Sequence, residues 1–349
     1  MNEDHLRRYA RLLVEHGVSL RRGQPLFAYG QVAHRRLLAM LTEVAYAAGS
    51  GAVETRAFDP LQVAALIRHG RAADAELHHV QDAGWAQQVF PELAEAAAYD
   101  RLAELIFRFA STDREDVGEQ AAAKDRRLKA RCRRLDELEV REIHLSGGGT
   151  DLVVGLPREA RWIGGSLETA AGQRFCRNLP SEEVFTTPDR RLTEGRLAAS
   201  RPLRLDAGTL VSGLVLQFEN GRVVDFTAES GQEAFGRWLE LEDGARALGE
   251  LALVGEDSEI AKSGLFFDLE LLDENASSHA ALGRGYAAAL AGGEGMSPRE
   301  LAALGFNPAS VHLDVLFGSP EVRVAAITSR EGEVLLIEQG RWAEQLSPE

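Results

Sequence analysis

Cysteine is almost absent from this sequence, and the two that occur in 349 residues, Cys132 and Cys176, are too few for a disulfide framework and too isolated for a thiolate zinc site. A reducing compartment, the cytoplasm, is therefore expected. Long apolar runs are missing too. No stretch approaches the ~20 residues a membrane helix requires, and Met1 to Leu13 has no apolar core of the kind a leader peptide carries. Positive charge is in deficit: 39 Lys and Arg against 54 Asp and Glu leave a net charge of −15, which repels nucleic-acid phosphates and anionic lipid. Neither nucleic acid nor a membrane is expected as a partner. The one basic cluster, Lys124, Arg127, Lys129, Arg131 and Arg134, reads as the solvated face of a helix. No Gly-x-Ser-x-Gly nucleophile elbow and no His-Glu-x-x-His zinc helix is present, and Gly147-Gly148-Gly149-Thr150 lacks the lysine of a phosphate loop and enters a strand, so it is a turn.

With a hydrophobic content of 45%, the chain has core material for about two domains. The first part alternates a helix around Leu6 to Val14, a strand Gln24 to Tyr29, a helix Arg35 to Ala48 and a strand Ala52 to Phe58, the pattern of a small α/β layer. Helical pattern dominates from Ala86 to Leu135, with breaks at Pro91 and at Asp113 to Asp116. From about Val140 the texture becomes antiparallel. Hairpins are expected around Gly147-Gly148-Gly149, Asn220-Gly221 and Glu331-Gly332, with helices near Gln232 to Leu248 and after Asn275. The fold class is α+β, with an N-terminal α/β and helical domain over residues 1–138 and an antiparallel-sheet-rich α+β domain over 139–349.

Polar residues in apolar surroundings mark the candidate chemistry. Val311 to Phe317 reads as a strand on which His312 and Asp314, two residues apart, share a face. Such a pair suits zinc, manganese or cobalt, or forms a hydrogen-bonded couple within a sheet. In the second stretch, Asp273 to His279, Asn275 or Ser277 reads as the N-cap of a helix that carries His279 in its first turns and Tyr286 two turns on, with Glu274 just before it. A cap, a core histidine and a packed tyrosine account for the same residues. Glu183 opens the strand Val184 to Thr187 and Glu250 opens Leu251 to Val254; either one taken alone reads as a strand end in water. Together, four carboxylates and two imidazoles approach the ligand count of two divalent ions about 3.5–4 Å apart. His5, His16, His34, His69, His78, His79 and His144 lack ligand spacing.

These residues carry a resemblance. Gly149-Thr150-Asp151-Leu152, Asn178 to Thr186, Gly249 to Val254, Asp273 to His279, Tyr286, and His312-Leu313-Asp314 with Gly318-Ser319 resemble, in order and spacing, the thermophilic metalloaminopeptidases of the aminopeptidase T and aminopeptidase S type. The likeness covers nearly all of the second domain and, in the first, Leu12 to Phe58 and Trp85 to Phe107. It implies a metallopeptidase domain in which Glu183, Glu250, Glu274, His279, His312 and Asp314 hold two divalent metal ions, Glu250 bridging. Zinc is the first choice, and cobalt, manganese or magnesium also suit such ligands. It further implies that Tyr286 donates to the developing oxyanion, that peptides lose their N-terminal residue to a water activated by the two metals, and that the protein is a homodimer. The stretch Leu66 to Gly84 is shorter than its family counterpart, so the N-terminal domain is trimmed. Glu182 is a candidate proton acceptor, although strand neighbours face opposite ways. Two other readings stay open: a non-catalytic peptide- or metal-binding homologue, and a two-metal amidohydrolase for a specialised small amide.

Overall fold

The computed structural model describes residues 2–58, 96–205, 208–267 and 269–347, which fall into two compact units. The first comprises Met1–Ala123 and Ser166–Pro180, the second Lys124–Gly165 and Ser181–Glu349. The alternation expected in the first part is present: a helix Glu3–Arg11, a strand Pro25–Gln31, a helix Arg35–Ala47 and a strand Ala52–Phe58. The two strands pair in parallel, as a strand-helix-strand crossover requires. Asn2 caps the first helix by accepting from the Asp4 amide, and Leu6, Ala10, Val14, Leu38, Leu41, Val44 and Phe107 form this unit's core. The expected break at Asp113 to Asp116 separates helices Ala96–Phe109 and Val117–Leu138. Residues 59–95 lie outside the described set, and with them His69, His78, His79, Pro91 and the shortened stretch 66–84. A polar hairpin, Ser166–Glu168 with Arg174–Cys176, also belongs to the first unit, where Gln173 donates to the Val18 carbonyl and Arg21 to that of Gly172.

The second unit holds an eight-stranded antiparallel sheet. Its spatial order is Arg222–Thr227, Val215–Glu219, Thr193–Ala198, Thr150–Gly155, Val140–Gly147, Arg323–Thr328, Gly332–Glu338 and Arg341–Trp342. All three expected hairpins occur in it. At Asn220-Gly221 both residues have positive φ, 50° and 78°, the conformation that matches a two-residue turn to strand twist. A four-stranded antiparallel sheet accompanies it in the order His312–Leu316, His279–Gly283, Leu248–Leu253, Val184–Thr186. The two inner strands are buried throughout, because the core covers both faces, and such strands show no apolar-polar alternation in sequence.

Three expectations are corrected. The helix expected over Gln232 to Leu248 ends at Trp238; a 3-10 turn Asp243–Arg246 follows, and Leu248 already opens a strand. The cause is a tight corner at Gly244, where a Cβ would fall 2.5 Å from Asn307 Oδ1. The helix expected after Asn275 is instead the buried strand His279–Gly283. The basic cluster is not a plain solvated face. Arg131 is buried, donates to the Leu346 carbonyl at 3.0 Å and lies over the Trp342 ring at 4.6 Å, while Lys124 pairs with Glu182 and Arg134 with Glu331. Its neighbours Leu128, Cys132, Leu135 and Leu138 explain the burial, since they seat the helix in the core. Among the described residues no helix is long and apolar enough to cross a membrane.

Burial pushes the Cys132 thiol up to about 12, so at pH 8 only about one part in 10⁴ is the nucleophilic thiolate. Iodoacetamide at that pH should therefore leave Cys132 unmodified in native protein and label it in guanidinium, as read by peptide mass mapping. Equal labelling in both states would contradict the burial described.

Candidate metal centre

Register places the candidate residues before any side-chain geometry is considered. In the four-stranded sheet Ala281 stands opposite Asp314 on one side and Glu250 on the other, Gly283 opposite His312, and Ala252 opposite both His279 and Phe185. Directly opposed residues project to the same face, so His279, Glu250, His312 and Asp314 share it. Glu183, two residues before Phe185, follows by the period of the strand. Ala281, fully buried in the middle of that row, leaves space between the two carboxylates that a longer side chain would fill. The loop before this face supplies Glu274, the last residue of helix Glu270–Glu274.

The resulting cluster is buried and tight. His312 Nε2 lies 3.3 Å from Glu250 Oε2 and 3.4 Å from Asp314 Oδ1, and His279 Nε2 lies 3.6 Å from Glu183 Oε2. Three overlapping groups bring their ligand atoms within 4.8 Å of one another: Glu183 with Glu250 and His279, Glu250 with His312 and Asp314, and Glu270 with Glu274 and Asp314. All six residues anticipated as ligands are thus brought together. Glu270 joins them, one helical turn before Glu274 and exposed; it was missed because an acidic residue there resembles any other surface carboxylate.

The hydrogen bonds fix the imidazole tautomers. His279 Nδ1 faces the Ser277 carbonyl at 3.1 Å and His312 Nδ1 the Arg284 carbonyl at 2.9 Å; a carbonyl only accepts, so each Nδ1 carries hydrogen. In the neutral ring each Nε2 is then a lone pair aimed at carboxylate oxygens. Acceptor faces acceptor, and buried Asp314 Oδ1 has no donor other than the His312 ring that faces it. Either protons or a cation must sit between these atoms, and a nitrogen-oxygen donor set with second-shell carbonyls holding the imidazoles fits a divalent metal ion.

Electrostatics in the ion-free protein agree. For His312, burial works to lower the pKa, but the hydrogen bonds of Asp314 and Glu250 and the charge of Asp314 prevail and it is pushed up to about 12. For Glu274, burial and the charges of Glu183, Asp314, Glu270 and Glu250 raise it to about 10. His279 is also raised: burial opposes this, and Asp314, Glu183 and Glu250 outweigh it.

Tyr286 arrives by a route other than the expected helix. It follows the strand His279–Gly283, and its ring lies 5.5 Å from that of His312 and 5.4 Å from that of Phe185. The Thr187 hydroxyl accepts from its amide at 2.9 Å and donates to its carbonyl at 3.0 Å. Asn275, expected as an N-cap, instead ends the preceding helix. Fully buried, it donates to Glu274 Oε1 at 3.2 Å and to the Leu271 carbonyl, and accepts from the Glu182 amide at 2.6 Å. It ties the Glu274 carboxylate to the main chain beside Glu183. Glu182 is ion-paired with Lys124.

A buried sheet face with two tautomer-fixed imidazoles and four carboxylates defines a protein of the metal-binding α+β class. The family model described as thermophilic metalloprotease (M29) matches residues 76–342, and the chain belongs to that family. Aminopeptidase T of Thermus aquaticus is 44% identical over 259 residues, 74% of this chain and 63% of that protein. Aminopeptidase AmpS of Bacillus subtilis (strain 168) is 36% identical over 261 residues, 75% of this chain and 63% of that protein. The matched region thus spans less than two thirds of these relatives' own length. Among solved structures, wild-type AmpT from Thermus thermophilus superposes with a TM-score of 0.85 at 31% identity, covering 97% of this chain and 99% of that one.

Glu274 and His312 both hold protons in the ion-free folded state that the unfolded chain releases at lower pH. A raised folded pKa contributes stability that is complete below the unfolded value and is lost as pH rises toward the folded one. Chelator-treated protein should therefore melt at a higher temperature at pH 5.5 than at pH 8.5, and Glu274→Gln should flatten that slope. Added zinc should stabilise most at pH 8.5, where fewer protons compete for the ligands. Scanning calorimetry with and without metal checks both.

Proposed function

We propose that this protein is a metal-dependent aminopeptidase that hydrolyses the first peptide bond of peptides with a free amino end. The observation that carries the proposal is the pair of imidazoles whose Nδ1 hydrogens are committed to main-chain carbonyls while their Nε2 atoms meet buried carboxylates. Glu183, Glu250, Glu274, His279, His312 and Asp314 would hold two divalent ions, and four carboxylates balance two dications to zero net charge. Glu250 and Asp314 are each common to two of the candidate groups, and following the resemblance Glu250 would be the carboxylate shared between the ions. Zinc leads, and cobalt, manganese or magnesium suit the same donors. Such ions supply polarisation of the scissile carbonyl and a water acidic enough to attack near neutral pH.

The remaining roles belong to the chain. Tyr286, held by Thr187 and packed against His312, donates to the carbonyl oxygen as negative charge develops there. Glu270 and Glu274 offer acceptors to the substrate's α-ammonium, which explains a requirement for a free amino end. Glu182 is committed to Lys124, so we assign it no proton transfer. The family and the names of the relatives support a peptide substrate, and with the resemblance and the two free cysteines we extend the proposal to a cytoplasmic homodimer.

A peptide panel with free and N-acetylated ends, followed by mass spectrometry, tests this. Residues should leave one at a time from free ends only, and chelator or His312→Ala should abolish the reaction. Tyr286→Phe should lower kcat by about 10²–10³ with little change in KM. Peptide binding without turnover, indifferent to Tyr286→Phe, would instead identify a non-catalytic binder; turnover of one dedicated amide alone would identify a specialised amidohydrolase.

A further inference from the structure

Arg284 stands where the strand His279–Gly283 leaves the sheet, and its main chain is already part of the centre. Its amide donates to the Val311 carbonyl at 2.7 Å, and its carbonyl accepts from Nδ1 of His312. The corner is rigid. Gly283 has φ of 98°, and a Cβ there would fall 2.1 Å from the Val311 oxygen. From this fixed point the Arg284 side chain reaches into solvent, with its guanidinium carbon 5.9 Å from the centre of the Tyr286 ring. Among the described residues it forms no ion pair and no side-chain hydrogen bond. Every donor of the planar fork is uncommitted, next to the residue assigned to the scissile carbonyl. A guanidinium in that condition is suited to bidentate capture of a carboxylate.

We propose that Arg284 is a specificity-determining residue that binds a carboxylate on the substrate residue immediately after the scissile bond. The inference rests on the aminopeptidase reading and names its preferred substrates: dipeptides with a free C-terminus, or peptides with an acidic second residue. Consecutive Cα atoms are 3.8 Å apart across a trans peptide, so a carboxylate one residue beyond a carbonyl held at Tyr286 comes within reach of a guanidinium over the same ring. Arg284 supplies the countercharge for that carboxylate on the leaving-group side.

The test compares three substrates of the metal-loaded enzyme: leucyl-alanine, leucyl-alaninamide and the α-amide of leucyl-glutamate. A charge-assisted hydrogen bond predicts that wild type favours leucyl-alanine over its amide by about tenfold in kcat/KM, mainly through KM. Arg284→Ala should bring that ratio to near unity, and Arg284→Glu should invert it. Recovery of efficiency with the glutamate amide marks a side-chain carboxylate as an accepted source; no recovery restricts recognition to the C-terminus; either supports the proposal. Because a residue that only steadied Tyr286 would change all three rates in proportion, an acid-to-amide ratio unchanged in Arg284→Ala overturns it. Equal cleavage of all three by wild type overturns the Arg284 assignment alone, whereas no cleavage of any free-ended peptide overturns the aminopeptidase reading and this inference with it.

Discussion

Carboxylates and imidazoles crowded onto one buried sheet face impose the constraint to which the rest of the site answers. At an effective dielectric constant of about 20, two carboxylates about 4 Å apart repel by about 4 kcal/mol, and several such pairs meet here. That repulsion is comparable with the whole stability margin of a domain, about 5–15 kcal/mol, so the charge has to be balanced inside the cluster. In ion-free protein protons do so, which is why Glu274 and His312 hold theirs far above their ordinary ranges. A dication at the same place would replace repulsion by attraction.

Rigidity of the surroundings makes that balance specific. The inner strands are buried on both faces, so their polar side chains cannot swing out to water to relieve the charge. Ala281 keeps the row between Glu250 and Asp314 open, and main-chain carbonyls hold both rings in one tautomer. Asn275 extends this control to the candidate ligand carried by a helix, because it grips Glu274 and the Glu182 amide together. Losing any one support would loosen a ligand without removing it, and metal sites are sensitive to such second-shell changes.

Much of this was legible in the sequence, for identifiable reasons. Asn220-Gly221 and the three glycines from Gly147 mark turns because their backbone angles exclude most other residues. His312 and Asp314 were readable as a same-face pair because a polar residue every second position in an apolar strand has few other uses. The segment after Asn275 misled because Ala280, Ala281 and Leu282 are good helix formers, and a short strand buried on both faces has no alternation to contradict them. Tyr286 still reached His312, since the strand and the turn after it deliver the ring that the expected helix would have placed by periodicity. Asn275 carried no sequence signal for its role, which depends on Glu182, 93 positions away. Arg284 was unreadable for the opposite reason: an exposed arginine is ordinary until its guanidinium is seen over the Tyr286 ring.

Under the proposed reading, charge sets the orientation of the substrate and which charged groups it must offer. Glu270 and Glu274 present acceptors where an α-ammonium would sit, and Arg284 presents donors across the scissile bond from it. A dipeptide carries both opposite charges, while an N-acetylated peptide lacks the first and an interior segment of a protein lacks both. Opposed charges on a rigid frame therefore reject wrong substrates through groups left unpaired, and that penalty discriminates more strongly than a difference in apolar contact area. The chain's net charge of −15 adds to this by repelling polyanions at a distance, so an exposed arginine at the site can act on a short zwitterion without attracting larger acidic partners.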